Sequence, residues 1–233
     1  MKDRDTDGAL RMIDRALAEG RKFLSEYEAK QVLAAYHIPV TREMLVRQKS
    51  DVVSTALEIG YPVVMKGCSP AIAHKTEKGL IRVDVRDETE ALGAFDEIIS
   101  GMSERPGGVL IQEMIRGGRE LVVGMTRDDQ FGPCVMFGLG GIFTEILKDV
   151  SFRRAPLRKD EALTMMREIR GNRILDAVRG MEAADRGKLA DIIIRVGQIG
   201  LEIPQVREID LNPVILAGQN PIAVDALIVL EPG

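Results

Sequence analysis

Tryptophan is absent from this chain of 233 residues, and aromatic residues make up only 4% of it. A platform that grips single-stranded nucleic acid by stacking bases on rings is hard to build from so few. The net charge of −4 leaves no electrostatic footprint for a phosphate backbone either, so nucleic acid is not an expected partner. Cysteine and histidine are equally scarce, with two of each. Cys68 and Cys134 border apolar runs and have no histidine at zinc-ligand spacing, so they read as small buried residues. No apolar run approaches the ~20 residues that span a bilayer. The N-terminal stretch MKDRDTDGALRMIDRAL is too charged for a secretory signal and too rich in aspartate for a mitochondrial presequence. A cytoplasmic protein without a membrane segment is expected.

What is present describes an ordinary globular protein: 45% hydrophobic and 29% charged residues, enough for one large domain or two small ones. Ser25 with Glu28 three residues on forms a capping box, which predicts a helix from Ser25 to Tyr36 whose apolar face is Ala29, Val32, Leu33 and Tyr36. A strand at Glu43–Arg47, a helix at Asp51–Ile59 and a buried strand YPVVMK follow. LIRVDV alternates as a half-buried strand, and Asp87 with Glu90 caps a helix with Leu92, Phe95 and Ile99 on its face. Pro106-Gly107-Gly108 is the expected hinge between two lobes. Beyond it, VLIQEMI and ELVVGMT flank Arg116-Gly117-Gly118-Arg119 and read as a hairpin; CVMFGL is a further strand. Helices are predicted at Lys159–Ile169 and Arg186–Ile199, then two strands, VREIDL and IAVDALIVL, around a turn at Ala217–Asn220. The expected fold class is α+β, with helices on the outer faces of strands in two lobes.

Several residue groups carry possible chemistry. If the closing turn is centred between Gly218 and Gln219, paired residues have numbers summing to 437, so Asn212 lies opposite Asp225 and Asp210 shares their face. Two carboxylates and an amide oxygen suit Mg²⁺, but equally suit a solvated polar face. In the other proposed hairpin Glu113 pairs near Val122 and Glu120 near Ile115; the pair is either a nucleotide-edge site or a salt-bridged surface. The run into Gly138, Gly140 and Gly141, with Glu145 beyond, is a phosphate-proximal loop or a tight turn. Lys66 ends an apolar strand and either reaches a phosphate or marks where the strand leaves the core. His74, in the loop SPAIAHKTEKG, is either a nucleophile toward phosphorus or an inert loop residue.

Four segments taken together resemble ATP-grasp proteins: EYEAKQVLAAYHIPV, GYPVVMKGCSPAIAHKTEKG, GGRELVVGMTRDDQFGPCVMFGLGGIFTEILKDVSFRRAPL and EIDLNPV. More narrowly they are similar to the β subunits of ADP-forming acyl-CoA synthetases, relatives of succinyl-CoA synthetase, over about residues 23–230. The SP-x-x-x-HK loop and the FGLGGIFTEILKDVSFR run distinguish this branch. The resemblance implies an ATP-grasp fold with a leader at 1–22 and lobes at 23–106 and 107–233, with ATP or ADP in the cleft between the lobes. It implies that Lys66 contacts phosphates, that Glu113 and Glu120 line the nucleotide pocket, and that Gly140, Gly141 and Glu145 lie beside the phosphates. It implies Asn212 and Asp225 as Mg²⁺ ligands, to which the hairpin geometry adds Asp210, Arg153 as a phosphate contact, and His74, with Glu145, as catalytic. His74 matches a histidine that accepts a phosphoryl group from a histidine of a separate α subunit, which carries the CoA-binding and ligase domains in an α2β2 assembly. The implied reaction interconverts acyl-CoA, ADP and phosphate with a carboxylic acid, CoA and ATP. An ATP-grasp carboxylate–amine ligase and a non-catalytic nucleotide-binding subunit are the competing readings.

Overall fold

The computed structural model of the chain describes residues 6–69, 79–102, 107–141, 148–178 and 180–231. In chain order its elements are α1 (Thr6–Ala18), α2 (Glu26–Ala35), β1 (Glu43–Val46), α3 (Val52–Ile59), β2 (Val63–Cys68), β3 (Ile81–Val85), α4 (Glu88–Gly101) and β4 (Gly108–Glu113). There follow β5 (Glu120–Asp128), β6 (Gly132–Leu139), β7 (Val150–Arg154), α5 (Lys159–Glu168), α6 (Arg186–Glu202), β8 (Val206–Ala217), β9 (Asn220–Ala223) and β10 (Leu227–Leu230). By contacts the chain divides into two compact units. One comprises Met1–Leu24, Ala29–Val40 and Arg116–Gly233; the other comprises Ser25–Glu28 and Thr41–Ile115. β4 lies beyond the 106/107 boundary read from the sequence, yet is counted with the smaller unit.

The smaller unit is a four-stranded antiparallel sheet in the order β1-β4-β2-β3. Val63 and Met65 of β2 and Val109 and Ile111 of β4 alternate onto one face and pack with Val52 and Ala56 of α3 and Phe95 and Ile98 of α4. Asp87 caps α4 by accepting from the Glu90 N–H at 2.9 Å, as the spacing predicts. Its buried face differs slightly from the expectation: Ala91, Ala94, Phe95 and Ile98 are buried, while Leu92 and Ile99 are only partly so. Two alanines beside Phe95 and Ile98 let the helix lie close to the sheet, so Leu92 and Ile99 flank the contact.

The larger unit holds the order β10-β8-β5-β6-β7, with β9 paired to β8. Leu121, Val123 and Met125 of β5, Val135 and Phe137 of β6, and Ile209 and Leu211 of β8 meet α5 and α6 in one core. Leu189, Ile192, Ile193 and Val196 line the buried face of α6, as their spacing requires. Residues assigned to a leader join this core: Ala9, Ile13 and Ala16 of α1 are all buried. Strand β7 was not anticipated, because its five residues carry Ser151, Arg153 and Arg154 and show no strong apolar alternation.

One pairing expectation is overturned. β4 and β5 do not form a hairpin: β4 pairs with β1 and β2, and β5 pairs with β6 and β8. Glu113 and Glu120 therefore stand in different sheets. Each strand has partners on both sides that bury it more fully than a two-strand ribbon can, and this outweighs the local turn signal at Gly117-Gly118.

The capping box of α2 is formed. The Ser25 N–H and hydroxyl both donate to Glu28 Oε2, at 2.9 and 2.7 Å, and the Glu28 N–H donates to Ser25 Oγ at 3.4 Å. Ser25→Ala is expected to cost about 1 kcal/mol of stability, the usual worth of an N-cap; urea denaturation checks it, and an unchanged midpoint would show the cap to be redundant.

Candidate functional site

The longest strand, β8, alternates Glu208, Asp210 and Asn212 with the buried Ile209 and Leu211, and the alternation breaks at each end, where Val206 and Val214 are also buried. Its register is the one deduced from the turn. Val214 pairs with Ala223 and Ala217 with Asn220, and beyond a break Asp210 pairs with Leu227 and Ile209 with Ile228, each pair summing to 437. The expected single strand IAVDALIVL is thus two, β9 and β10, interrupted at Val224–Ala226. Across that break the Val224 N–H still donates to the Pro213 carbonyl at 3.0 Å, which holds Asp225 beside Asn212. Asp225 Oδ1 accepts from the Ala226 N–H at 2.8 Å, fixing its carboxylate locally.

The electrostatics agree with this convergence. Burial first, then the negative fields of Glu208 and Asp225, push Asp210 up to about 6. Among the described residues, no group of three or more His, Cys, Asp or Glu is arranged to hold a metal ion by itself. The cluster here has two carboxylates and one amide. That complement fits Mg²⁺, which takes one or two protein carboxylates and completes its shell with phosphate oxygens and water. Asp210, half-buried beside like charges, is the kind of group that a cation relieves.

Beside this cluster the β5 strand starts at Glu120, which pairs with Ile215 of β8. The Gly140 N–H donates to the Glu120 carbonyl at 2.9 Å, and the Gly141 N–H donates to Asn212 Oδ1 at 3.1 Å. Gly141 has φ +60, and a Cβ there would sit 2.0 Å from Glu120 Oε2. At Gly140 a Cβ would meet the Leu121 backbone at 2.5 Å. The two glycines are thus required by close packing, and their amides bind Glu120 and Asn212. Glu120, Gly140, Gly141, Asn212, Asp210 and Asp225 form one neighbourhood of the larger unit. A hollow of about 290 Å³ opens on the same sheet face, lined by Asp210, Asn212, Glu208, Val122, Thr126 and Phe152 among others. Glu208 was missed as a member; its i, i+2, i+4 relation to Asp210 and Asn212 was the available signal.

Arg153 of β7, proposed as a phosphate contact, forms an ion pair with Glu168 at the end of α5. In the smaller unit, Lys66 lies inside β2 rather than at its end, and its Nζ donates to Glu26 Oε1 at 2.8 Å. Glu113 closes β4 and accepts from the Arg42 N–H at 2.8 Å and Arg42 Nε at 3.1 Å. Lys66 pairs with Leu110, and Glu113 with Val63, so alternation puts the two side chains on opposite faces of their sheet. His74 and Glu145 lie outside the described residues. Among the described residues no helix is long and apolar enough to cross a membrane.

The chain matches the ATP-grasp domain over residues 15–230. It is 47% identical over 227 residues to subunit beta of acetate–CoA ligase [ADP-forming] I from Pyrococcus furiosus, covering 95% of this chain and 97% of that one. Against acetate–CoA ligase [ADP-forming] I of Archaeoglobus fulgidus it is 41% identical over 231 residues, which is 97% of this chain but 33% of that longer one. The solved dinucleotide-forming acetyl-coenzyme A synthetase 1 of Ca. Korarchaeum cryptofilum, in complex with coenzyme A and Ca-AMPCP, superposes with a TM-score of 0.90 at 42% identity, over 95% of this chain and 99% of that one. Another structure of that enzyme holds coenzyme A and Mg-AMPPCP, with a phosphohistidine segment pointing towards the nucleotide binding site; it matches with a TM-score of 0.85 at 42% identity, over 96% of this chain and 100% of that one. The two antiparallel sheets with their helices, matched end to end, leave no ambiguity about class: the chain belongs to the ATP-grasp family. Its branch there is that of the β subunits of ADP-forming acyl-CoA synthetases.

Asp225→Ala removes a partly buried carboxylate of the proposed cation set. It is expected to weaken Mg-ADP binding about tenfold, ~1.4 kcal/mol, with the melting temperature unchanged. Calorimetric titration checks this; equal affinity at matched stability would remove Asp225 from the site.

Proposed function

We propose that this chain is the nucleotide-binding β subunit of an ADP-forming acyl-CoA synthetase, which interconverts acyl-CoA, ADP and phosphate with a carboxylic acid, CoA and ATP. The observation that carries the reading is the oxygen cluster of Asp210, Asn212 and Asp225, set by strand register in a fold that β subunits match over almost their whole length. The roughly two thirds of the Archaeoglobus relative beyond the aligned region support a separate α partner that supplies the rest of the chemistry. We take the assembly to be α2β2 and cytoplasmic.

In this mechanism inorganic phosphate attacks the thioester carbonyl on the α partner, and CoA leaves as the thiolate. A histidine of the partner then takes the phosphoryl group from the acyl phosphate and releases the carboxylate. His74 receives that group through its imidazole, and the terminal oxygen of ADP displaces it to give ATP. Asn212, Asp225 and Asp210 would hold Mg²⁺, which when bound offsets charge on the phosphate oxygens. Lys66 is taken as a phosphate contact, and Glu113 and Glu120 as nucleotide-pocket residues. Gly140, Gly141 and Glu145 shape the loop beside the phosphates, and Arg153, released from Glu168, adds a second cation. Most of the rate comes from placement and charge neutralisation, since phosphoryl transfer asks little covalent work of the protein.

Reconstitution with a candidate α subunit tests this, following ATP formation from acetyl-CoA, ADP and phosphate. His74→Ala is expected to abolish ATP formation and the acid-labile phosphate that wild type gains from Mg-ATP. Full activity in His74→Ala would remove the relay and favour a direct acyl-phosphate ligase.

A further inference from the structure

Lys66 and Glu26 form an ion pair in which both side chains are almost wholly out of solvent, with exposures of 6% and 0%. Lysine and glutamate are seldom buried to this degree unless the burial serves each other or a ligand. The two groups also sit on well-held backbone. Lys66 belongs to β2, bonded on both sides by β3 and β4. Glu26 occupies the first turn of α2, between the Ser25 and Glu28 of the capping box. The free N–H groups at a helix start favour a carboxylate there, which offsets part of the cost of burying one.

We infer that Glu26 is a positioning residue for the phosphate chemistry: its carboxylate holds the Lys66 ammonium in place for the nucleotide phosphates. The inference rests on the reading of Lys66 as a phosphate contact and adds to it a residue that touches no substrate. An ammonium has three N–H donors and can serve more than one acceptor at once. A lysine loses about 2 kcal/mol of rotamer entropy when immobilised; with Glu26 in place that loss is taken on folding and not on binding. Because the carboxylate sits on a helix start, it restrains the Nζ at the strand. Arg119 shows the contrast within the same protein. It too is buried, but its guanidinium donates to the carbonyls of Ile174, Asp176, Glu182 and Gly218, four backbone acceptors that leave it a structural role.

A double-mutant cycle on the full chain separates positioning from mere structure, with Mg-ADP affinity read by calorimetry and folding by thermal melts. Lys66→Met should weaken binding strongly. Glu26→Gln should weaken it about tenfold when Lys66 is present, and by less than about twofold in the Lys66→Met background, because two residues acting as one unit are not additive. A purely structural Glu26 would lower affinity equally in both backgrounds, and that result would overturn the inference. Unchanged affinity in Lys66→Met would instead overturn the phosphate role of Lys66 itself. Wild-type affinity in Glu26→Gln, beside a weakened Lys66→Met, would overturn only the role of Glu26. Should either single variant fail to fold, Glu26→Asp decides: its shorter side chain keeps the charge but withdraws it, so affinity should fall at least threefold at near wild-type melting temperature. Wild-type affinity in that variant would overturn the inference too.

Discussion

The polar neighbourhood of the larger unit depends on the register of one strand. β8 is bonded to β5 on one side and to β9 and then β10 on the other, so a slip of a single residue would turn Glu208, Asp210 and Asn212 into the core and expose Ile209 and Leu211. The buried apolar residues therefore enforce the placement of the polar ones. The tight turn at Ala217–Asn220 sets the count, and the hydrogen bond from the Val224 N–H to the Pro213 carbonyl carries it across the break between β9 and β10. That break takes Asp225 out of the registers of β9 and β10 on β8 while keeping it in line with Asn212. A continuous strand would have bound its backbone to β8 at that point.

The protein buries charge in three distinct ways. Arg119 is saturated by backbone carbonyls and ties the segment from Ile174 to Glu182 to the closing turn at Gly218. Lys66 is matched with Glu26, a charge for a charge. Asp210 is left among like charges, raised by burial and by Glu208 and Asp225. The first arrangement is stable by itself and the second is neutral. The third is unfavourable without a cation, and it is the one that lies on the candidate metal site. Strain of this sort collects where a ligand is meant to relieve it.

The glycine segment shows how packing and chemistry share residues. Gly140 and Gly141 sit where a side chain would strike the Leu121 backbone or the Glu120 carboxylate. Their amides bind Glu120 and Asn212, so the loop aligns two candidate site residues through its own backbone. Glycine is thus demanded by the fit of β5 against the end of β6, and the functional arrangement follows from that fit.

Much of this was legible in the chain by itself. The capping box at Ser25, the cap at Asp87 and the apolar face of α6 all rest on neighbours three or four residues apart, and such local interactions are written in the order of residues. The 437 register was readable for the same reason, since a short turn couples sequence to pairing directly. The partners of β4 and β5 were not readable, because a glycine pair between two apolar runs signals a hairpin whether or not each strand finds a better neighbour far along the chain. The packing of α1 into the larger core and the shift of the α4 face toward alanine depend likewise on surfaces that exist only once the sheet has formed. The pairing of Glu26 with Lys66 belongs here as well. Sequence by itself determined the helices, the closing turn and the register that lines up Asp210 and Asn212; the tertiary structure decided which strands meet and which buried charges face one another, because those choices are settled by long-range burial that no local pattern encodes.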